Sequence, residues 1–349
     1  MTAAEGNEVI LPAKLKAADR VRLVVASGDD LTQSTATGWF DTQRPAPPGL
    51  SDAGLDSRLN ISLFWATPSD QDRTPGDILD LPGNVGFKAV ADLPGTATQT
   101  FDFDPRQTSA NLAALPRPAA VRLISTNEWG ETPDAKLLRV GTIGAGISVP
   151  AGAVYSSRLG IKSSLSMMFT EGHKEKAGGI KVELQARAKT TDAWKTYGRY
   201  TGNTTTAFDT GIASLGNRQY RLYVPARKVA VGNIIALTPA TSTSARSSKT
   251  YVKFVSKGFT PAHPARHARV DVWAKIQPAV TVRGMLQVLL KGHWRNVFAV
   301  QFRNGSMLAH ANTGADRGPY SYRISLPAAT INNLPLTPTT SSPFPITIG

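Results

Sequence analysis

Cysteine is absent from all 349 residues, which excludes disulfides, thiolate metal sites and cysteine nucleophiles. The absence leaves the compartment open, since a domain with an adequate core needs no covalent staple in either environment. No uninterrupted apolar run is long enough for a transmembrane helix. The opening stretch MTAAEGNEVILPAKLKAADRV has no basic segment leading into an apolar one, so no secretory signal is expected in it. Helical periodicity is scarce, with TSANLAAL, Thr108–Leu115, the best short candidate.

Acidic side chains are few, 25 Asp and Glu against 39 Lys and Arg, and unevenly placed. Residues 1–150 carry 13 basic and 18 acidic residues, a balance of −5, whereas residues 151–349 carry 26 and 7, a balance of +19. A field of that size attracts an acidic partner: nucleic acid, an anionic polymer, or the acidic half of a neighbouring copy. The basic residues are spread through strand-like segments rather than gathered in an arm or on one helix, which weakens the nucleic-acid reading. A surface charged for solubility is the plain alternative.

What the chain does have is a duplication. YRLYVPA, Tyr220–Ala226, returns as YRISLPA, Tyr322–Ala328. Upstream of each stands a glycine, an alternating apolar strand and a tryptophan after a polar turn. In the first copy these are Gly179, then Val182, Leu184 and Ala186, then Trp194; in the second Gly284, then Leu286, Val288 and Leu290, then Trp294. Downstream, ALTPATSTS from Ala236 is answered by PLTPTTSSP from Pro335. A shared order sustained over so many features defines two copies of one domain, expected at 151–249 and 250–349.

Short alternating runs broken by Gly, Pro, Asn and Thr predict antiparallel β-sandwiches, and the size of each copy fits the immunoglobulin-like version. The fold class expected is therefore all-β and multi-domain: two duplicated immunoglobulin-like sandwiches behind a divergent, acidic N-terminal β domain at 1–150. In that first region Val21–Ser27, Leu59–Thr67, Val85–Leu93, Thr98–Asp104 and Ala119–Thr126 read as strands. Long loops are expected at Asp41–Ser57 and Pro68–Asn84. Trp194 and Trp294 are expected as core anchors between sheets, and Tyr220 and Tyr322 as packed tyrosines opening a late strand.

The search for chemistry is short. LISTNEWGE, Leu123–Glu131, has the Asn127–Glu128 pair of barrel glycosidases, but the helices of such a barrel are missing. Asp70, Asp72, Asp77 and Asp80 form an acidic loop with the chemistry for Ca²⁺, without EF-hand spacing, so a solvated loop is preferred. His263 and His267 come closest to a metal pair, yet a proline between them and the adjacent Arg266 and Arg269 argue against a bound cation. That segment, Arg266, His267 and Arg269, together with Lys291 and Arg295, supplies the candidates for contact with an acidic partner. No phosphate-cradling glycine loop, nucleophile elbow or zinc-protease motif is present, so neither an enzyme nor a cofactor is expected.

VELQARAKTTDAWKTYGRYTG with RQYRLYVPA resembles the tandem immunoglobulin-like repeats of actinobacterial surface and secreted proteins and of the virion proteins of their phages. The likeness covers residues 179–226 well and 284–328 less well, where Lys291 stands in place of the strand's arginine. It does not extend to residues 1–150. The resemblance implies architecture more than activity: spacers, adhesive modules and lattice-forming pieces. Two functions follow as expectations. The first is a structural virion subunit of tail, baseplate or capsid surface, made without a signal peptide, whose partners are other copies or other structural subunits. The second is a secreted or cell-surface module whose basic repeats grip an anionic polymer or glycan.

Overall fold

The computed structural model describes residues 16–18, 20–27, 30–68, 74, 76 and 85–349. They form strands and connecting turns with no helix among them, in two compact units. No described helix is therefore long and apolar enough to cross a membrane.

The first unit comprises Met1–Ile143, Met167–Glu175 and Ala226–Ala240. One of its sheets has Ile61–Ala66 between Gly49–Leu55 and Ser109–Leu112, all antiparallel. The other runs in the order Gln99–Phe103, Gly86–Asp92, Ala119–Asn127, Gly130–Val140, Ile234–Thr238, Arg227–Val231. Alternation decides which side chains meet between the sheets. Ile61, Leu63 and Trp65 point in from the first sheet, and Phe87, Ala89, Ala91, Val121 and Leu123 from the second. The aliphatic and phenylalanine side chains larger than alanine among them contribute about 1.5–3 kcal/mol each when fully buried. The last two strands of the large sheet come from residues 226–240, and Ile234–Leu237 runs parallel to Leu137–Val140. Ile235 and Leu237 are thereby buried in this core, although both belong in sequence to the first repeat.

The second unit comprises Gly144–Ser166, Lys176–Pro225 and Thr241–Gly349. Its first sandwich carries a sheet in the order Gly152–Val154, Arg246–Tyr251, Arg218–Val224, Ile180–Arg187, Lys195–Gly202. Leu184, Ala186 and Tyr220 pack from that sheet against Leu159 and Ile161. In the second sandwich Arg269–Gln277 lies between Lys253–Thr260 and Ser306–Asn312. The facing sheet has the order His293–Phe302, Val282–Leu290, Gly318–Leu326, Phe344–Ile348. Val272, Ala274, Leu286, Phe302 and Ile324 fill the space between.

The N-terminal and C-terminal sandwiches share one topology. Counting from Gly49–Leu55 in one and from Lys253–Thr260 in the other, and leaving out the short strands at 329–340, the first, second and fifth strands make the small sheet in each, and the fourth, third, sixth and seventh make the large one. That is an immunoglobulin-like sandwich, and the chain is all-β and multi-domain as expected.

Two local expectations are corrected. Thr108–Leu115 is not helical: Ser109–Leu112 pairs with Ile61–Phe64 of the central strand, and Leu112 is buried. Ala110 and Leu112 already had a strand's period of two, which a short alanine-rich run disguises. The expected loop Asp41–Ser57 contains the strand Gly49–Leu55. A register shift between Leu50 and Asp52 puts Leu50 and Ala53, three apart, on the core side, so the alternation is broken in sequence while the strand continues.

Candidate functional site

Both repeats carry the same hairpin with the same irregularity. Ile180–Arg187 pairs with Lys195–Gly202, and its register shifts between Leu184 and Gln185; Val282–Leu290 pairs with His293–Phe302, and shifts between Leu286 and Gln287. A one-residue bulge reverses which face each later residue occupies. Without it Trp294 would oppose Leu290; with it Trp294 opposes Leu289, beyond Gln287 on the outer face. The expectation that Trp194 and Trp294 anchor the cores is therefore corrected: both lie half-buried on the outside of their sheets.

There each tryptophan is covered by arginine. The Arg323 guanidinium lies 4.3 Å from the Trp294 ring, and Arg221 and Arg187 lie 4.5 and 4.4 Å from Trp194. Arg323 Nε donates to Gln287 Oε1 at 2.7 Å, and Arg221 Nε to Gln185 Oε1 at 2.9 Å. Gln, Arg and Trp thus form one duplicated outer-face unit, holding each guanidinium over an indole. Burial, and then the Arg187 charge, lowers Arg221 below the usual arginine value.

A second repeated device joins the sandwiches of the second unit. After Leu326 the chain makes the hairpin Ala329–Ile331 and Leu334–Leu336. Asn332 and Asn333 form its two-residue turn, both at positive φ, as a tight hairpin with a mirror-image turn requires. This hairpin reaches the first repeat. Asn217 N–H donates to Pro335 O at 2.8 Å, Thr337 N–H donates to Thr250 O at 2.9 Å, and Tyr251 and Thr337 bridge in parallel. Asn217 Oδ1 accepts from Thr250 N–H at 2.6 Å and from the Thr337 hydroxyl at 3.1 Å. Gly216 allows the approach: a Cβ there would stand 2.4 Å from that of Leu334.

Beside this junction opens a cavity of about 740 Å³ between the first repeat's sheet and the hairpin tip. Arg187, Lys189, Lys195 and Arg218 line it with Tyr155 and Tyr197, and Asp192 is the one acid in its wall. Arg218 is only 7% exposed, its guanidinium stacks 4.4 Å from the Tyr197 ring, and its Nε has no hydrogen-bond partner. Deeper in, burial raises the Tyr220 phenol above its ordinary value, against the pull of Arg218.

The other expected positions fall as follows. Tyr220 is fully buried in its sandwich core, and Tyr322 is partly buried, its ring 4.9 Å from that of Phe259. Arg266, His267 and Arg269 are exposed at the loop 261–268, and Lys291 and Arg295 are exposed at and just after the turn 291–292. Strand directions bring that loop and that turn to one end of the second-repeat sandwich, where Gly349 N–H also reaches Pro264 O. Asp70, Asp72, Asp77 and Asp80 lie outside the described residues. Glu128 is in the turn between Ala119–Asn127 and Gly130–Val140, where Asn127 Oδ1 accepts from Trp129 and Gly130 N–H groups. Its asparagine neighbour is a turn cap. Among the described residues no three His, Asp or Glu side chains gather as metal ligands. Sequence reasoning missed Asn217 and Arg218; the one signal was the Gly216–Asn217 pair directly before the repeated strand, a turn-type dipeptide.

No protein-family model matches the chain, and no curated protein matches it. Among solved structures it is similar to three fibronectin domains of chicken contactin-1, CNTN1 FN1–FN3, at 12% identity and TM-score 0.22, over 88% of this chain and 99% of that one. It is similar to part of a 1.5-MDa bacterial ice-binding adhesin at 10% and 0.22, over 83% and 90%. It is also similar to three N-terminal domains of the outer capsid protein Hoc of bacteriophage RB49 at 10% and 0.28, over 86% and 98%. Likeness at this level transfers neither activity nor partner.

Proposed function

We propose that this chain is a non-enzymatic structural protein, a set of immunoglobulin-like sandwiches acting as a spacer and assembly piece, and that its setting is a virion: tail, baseplate or capsid surface. The observation that carries this reading is the reach-back hairpin. Residues 227–238 complete the large sheet of the first unit, and the hairpin 329–336 with the residue after it bonds to the repeat before it, Pro335 to Asn217 and Thr337 to Thr250 of the strand Arg246–Tyr251. A plain linker leaves neighbouring domains free to move; the bonds from Pro335 and Thr337 to Asn217 and Thr250 oppose that motion between the two sandwiches of the second unit, which suits a spacer. The opposite charge balances, −5 for residues 1–150 and +19 for the rest, favour contacts in which an acidic region of one copy meets a basic region of another, an arrangement that propagates into rings or filaments.

Light scattering of the full chain at low and high salt tests the assembly part. Salt-sensitive particles larger than one chain are expected. A clean monomer under both conditions overturns self-association and leaves a foreign scaffold as the partner. The second reading, a secreted or surface-bound module that grips an anionic polymer or glycan, is favoured by the exposed cluster Arg266, His267, Arg269, Lys291 and Arg295 at one end of the last sandwich. Retention on an anionic polymer matrix, lost when those five are neutralised, is its test.

A further inference from the structure

The basic cavity beside the hairpin tip has a feature that packing does not explain. Arg218 is buried against the Tyr197 ring and beside the Tyr220 hydroxyl, neither of which carries a counter-charge; no carboxylate pairs with it among the described residues, and its Nε is left without an acceptor. Burying a charge unpaired is costly, and native structures meet the cost with a counter-charge or by leaving the group facing a ligand. The rest of the wall deepens the imbalance. Arg187 is satisfied by Gln219 Oε1 at 2.9 Å and Thr190 O at 2.7 Å, whereas Lys189 and Lys195 are exposed with no ion pair among the described residues. Asp192, the sole acid, is engaged by the Lys189 backbone N–H at 2.9 Å. The cavity therefore holds a surplus of positive charge focused between low-dielectric walls.

We propose that this cavity is a binding site for an acidic saccharide, a sugar bearing carboxylate or sulfate. Its volume is in the range of small-ligand pockets, and it offers the three kinds of group such a ligand requires. The guanidinium of Arg218 with Lys195 and Lys189 takes the acid, a forked donor with two point charges. Tyr197, one face of whose ring is covered by Arg218, presents an exposed aromatic surface for a pyranose face. The side chains of Asn332 and Asn333, exposed at the hairpin tip, carry neutral donors and acceptors for hydroxyls. The site is incomplete in either repeat alone: the cations come from the first and the amides from the second. It stands independently of the assembly reading, since a spacer with or without self-association can carry it.

Titration calorimetry on the full chain tests the site, with tetragalacturonate, a heparin tetrasaccharide, neutral maltotetraose, inorganic sulfate, inorganic phosphate and hexaglutamate as separate probes. Saturable binding of an acidic saccharide is expected, weakened about tenfold or more by Lys195→Glu and by Tyr197→Ala, a loss of about 1.4 kcal/mol or more. Arg266→Glu, at the far end of the second repeat, should leave it unchanged. Arg218→Gln should abolish it; because that residue is buried, its variant is read only with an unchanged circular dichroism spectrum, and the exposed Lys195 variant carries the test if it misfolds. No saturable binding of any acidic saccharide overturns the proposal, as does equal weakening by Arg266→Glu, which marks diffuse charge attraction. Sulfate or phosphate alone binding as tightly as the saccharides, or hexaglutamate binding more tightly, overturns the assignment of ligand class.

Discussion

Asn217 and Thr337 stand 120 residues apart in sequence and share a hydrogen bond of 3.1 Å. The same Asn217 Oδ1 accepts the Thr250 N–H at 2.6 Å, while its backbone N–H donates to Pro335. One side chain thus closes the end of a strand in the first repeat and fastens the hairpin of the second. Asn217→Ala removes the acceptor for both, and is expected to destabilise the chain by about 1–3 kcal/mol in urea unfolding. Thr337→Val should cost less, and the two losses should fall short of additive in a double-mutant cycle.

The close contact of Gly216 with Leu334 predicts a rescue. Gly216→Ala places a methyl group 2.4 Å from the Leu334 Cβ, so hairpin and loop must separate. Its melting temperature should fall, and the added change Leu334→Gly should recover part of the loss. If Leu334→Gly instead adds its own full cost, the two residues do not meet in solution.

Placing the tryptophans outside the cores reverses an ordering of mutational costs. Trp294→Ala removes a half-buried ring under Arg323 and is expected to cost no more than about 2 kcal/mol. Phe302→Ala, at a fully buried position in the same hairpin, should cost about 3–5 kcal/mol. Urea midpoints of the two variants decide. A tryptophan variant as damaging as the phenylalanine one would mean the ring is in the core after all.

These tryptophans also show where the sequence stops being legible. The alternation of Val182, Leu184 and Ala186, and of Leu286 and Val288, marked the strands and their inner faces, and the duplication marked the order of elements. The bulge falls at Tyr197 and Val297, and only the first copy has a glycine beside it, Gly198, so the two copies share no sequence signature for a bulge that moves both tryptophans to the other side. The same holds at Leu50–Asp52, where a shifted register hid a strand inside an apparent loop. Asn217 was illegible for a different reason: Pro335 and Thr337, which it holds, lie more than a hundred residues away, and spacing carries no trace of such a meeting; Arg218 was illegible because its burial against Tyr197 depends on how two strands pair. The cluster of Arg266, His267 and Arg269 with Lys291 and Arg295 was named from charge alone, and strand direction brings it to one end.

Acid should weaken the first repeat through Asp209. Its carboxyl is held below the usual aspartate range, first by the Gly211 N–H at 2.6 Å and then by Arg158 at 3.0 Å, with Lys162 at 3.6 Å. A carboxyl whose folded value is depressed contributes stability above its unfolded value, about 3.9 for aspartate, and loses it as pH falls through the folded value. Asp209→Asn should therefore flatten the dependence of unfolding midpoint on pH below about pH 4 while changing its shape little near neutrality. An unchanged acid limb would show that the carboxyl titrates alike in both states.

The strands that residues 227–238 add to the first unit predict complementation. Ile235 and Leu237 are buried there, and Ile234–Leu237 pairs with Leu137–Val140. A fragment of residues 1–143 lacks that hairpin, so it exposes an unpaired edge and two apolar hollows, the condition under which sheets associate wrongly. It should aggregate or unfold at a lower denaturant concentration than the unit does in the full chain. A synthetic peptide of residues 226–240 supplied in trans should restore solubility and raise the midpoint, because strand addition along an open edge supplies main-chain hydrogen bonds and side-chain pockets together. The same peptide with Ile235→Asp and Leu237→Asp should not. A fragment equally stable with and without the peptide would show that the sandwich closes its own edge, and that the hairpin only rests against it.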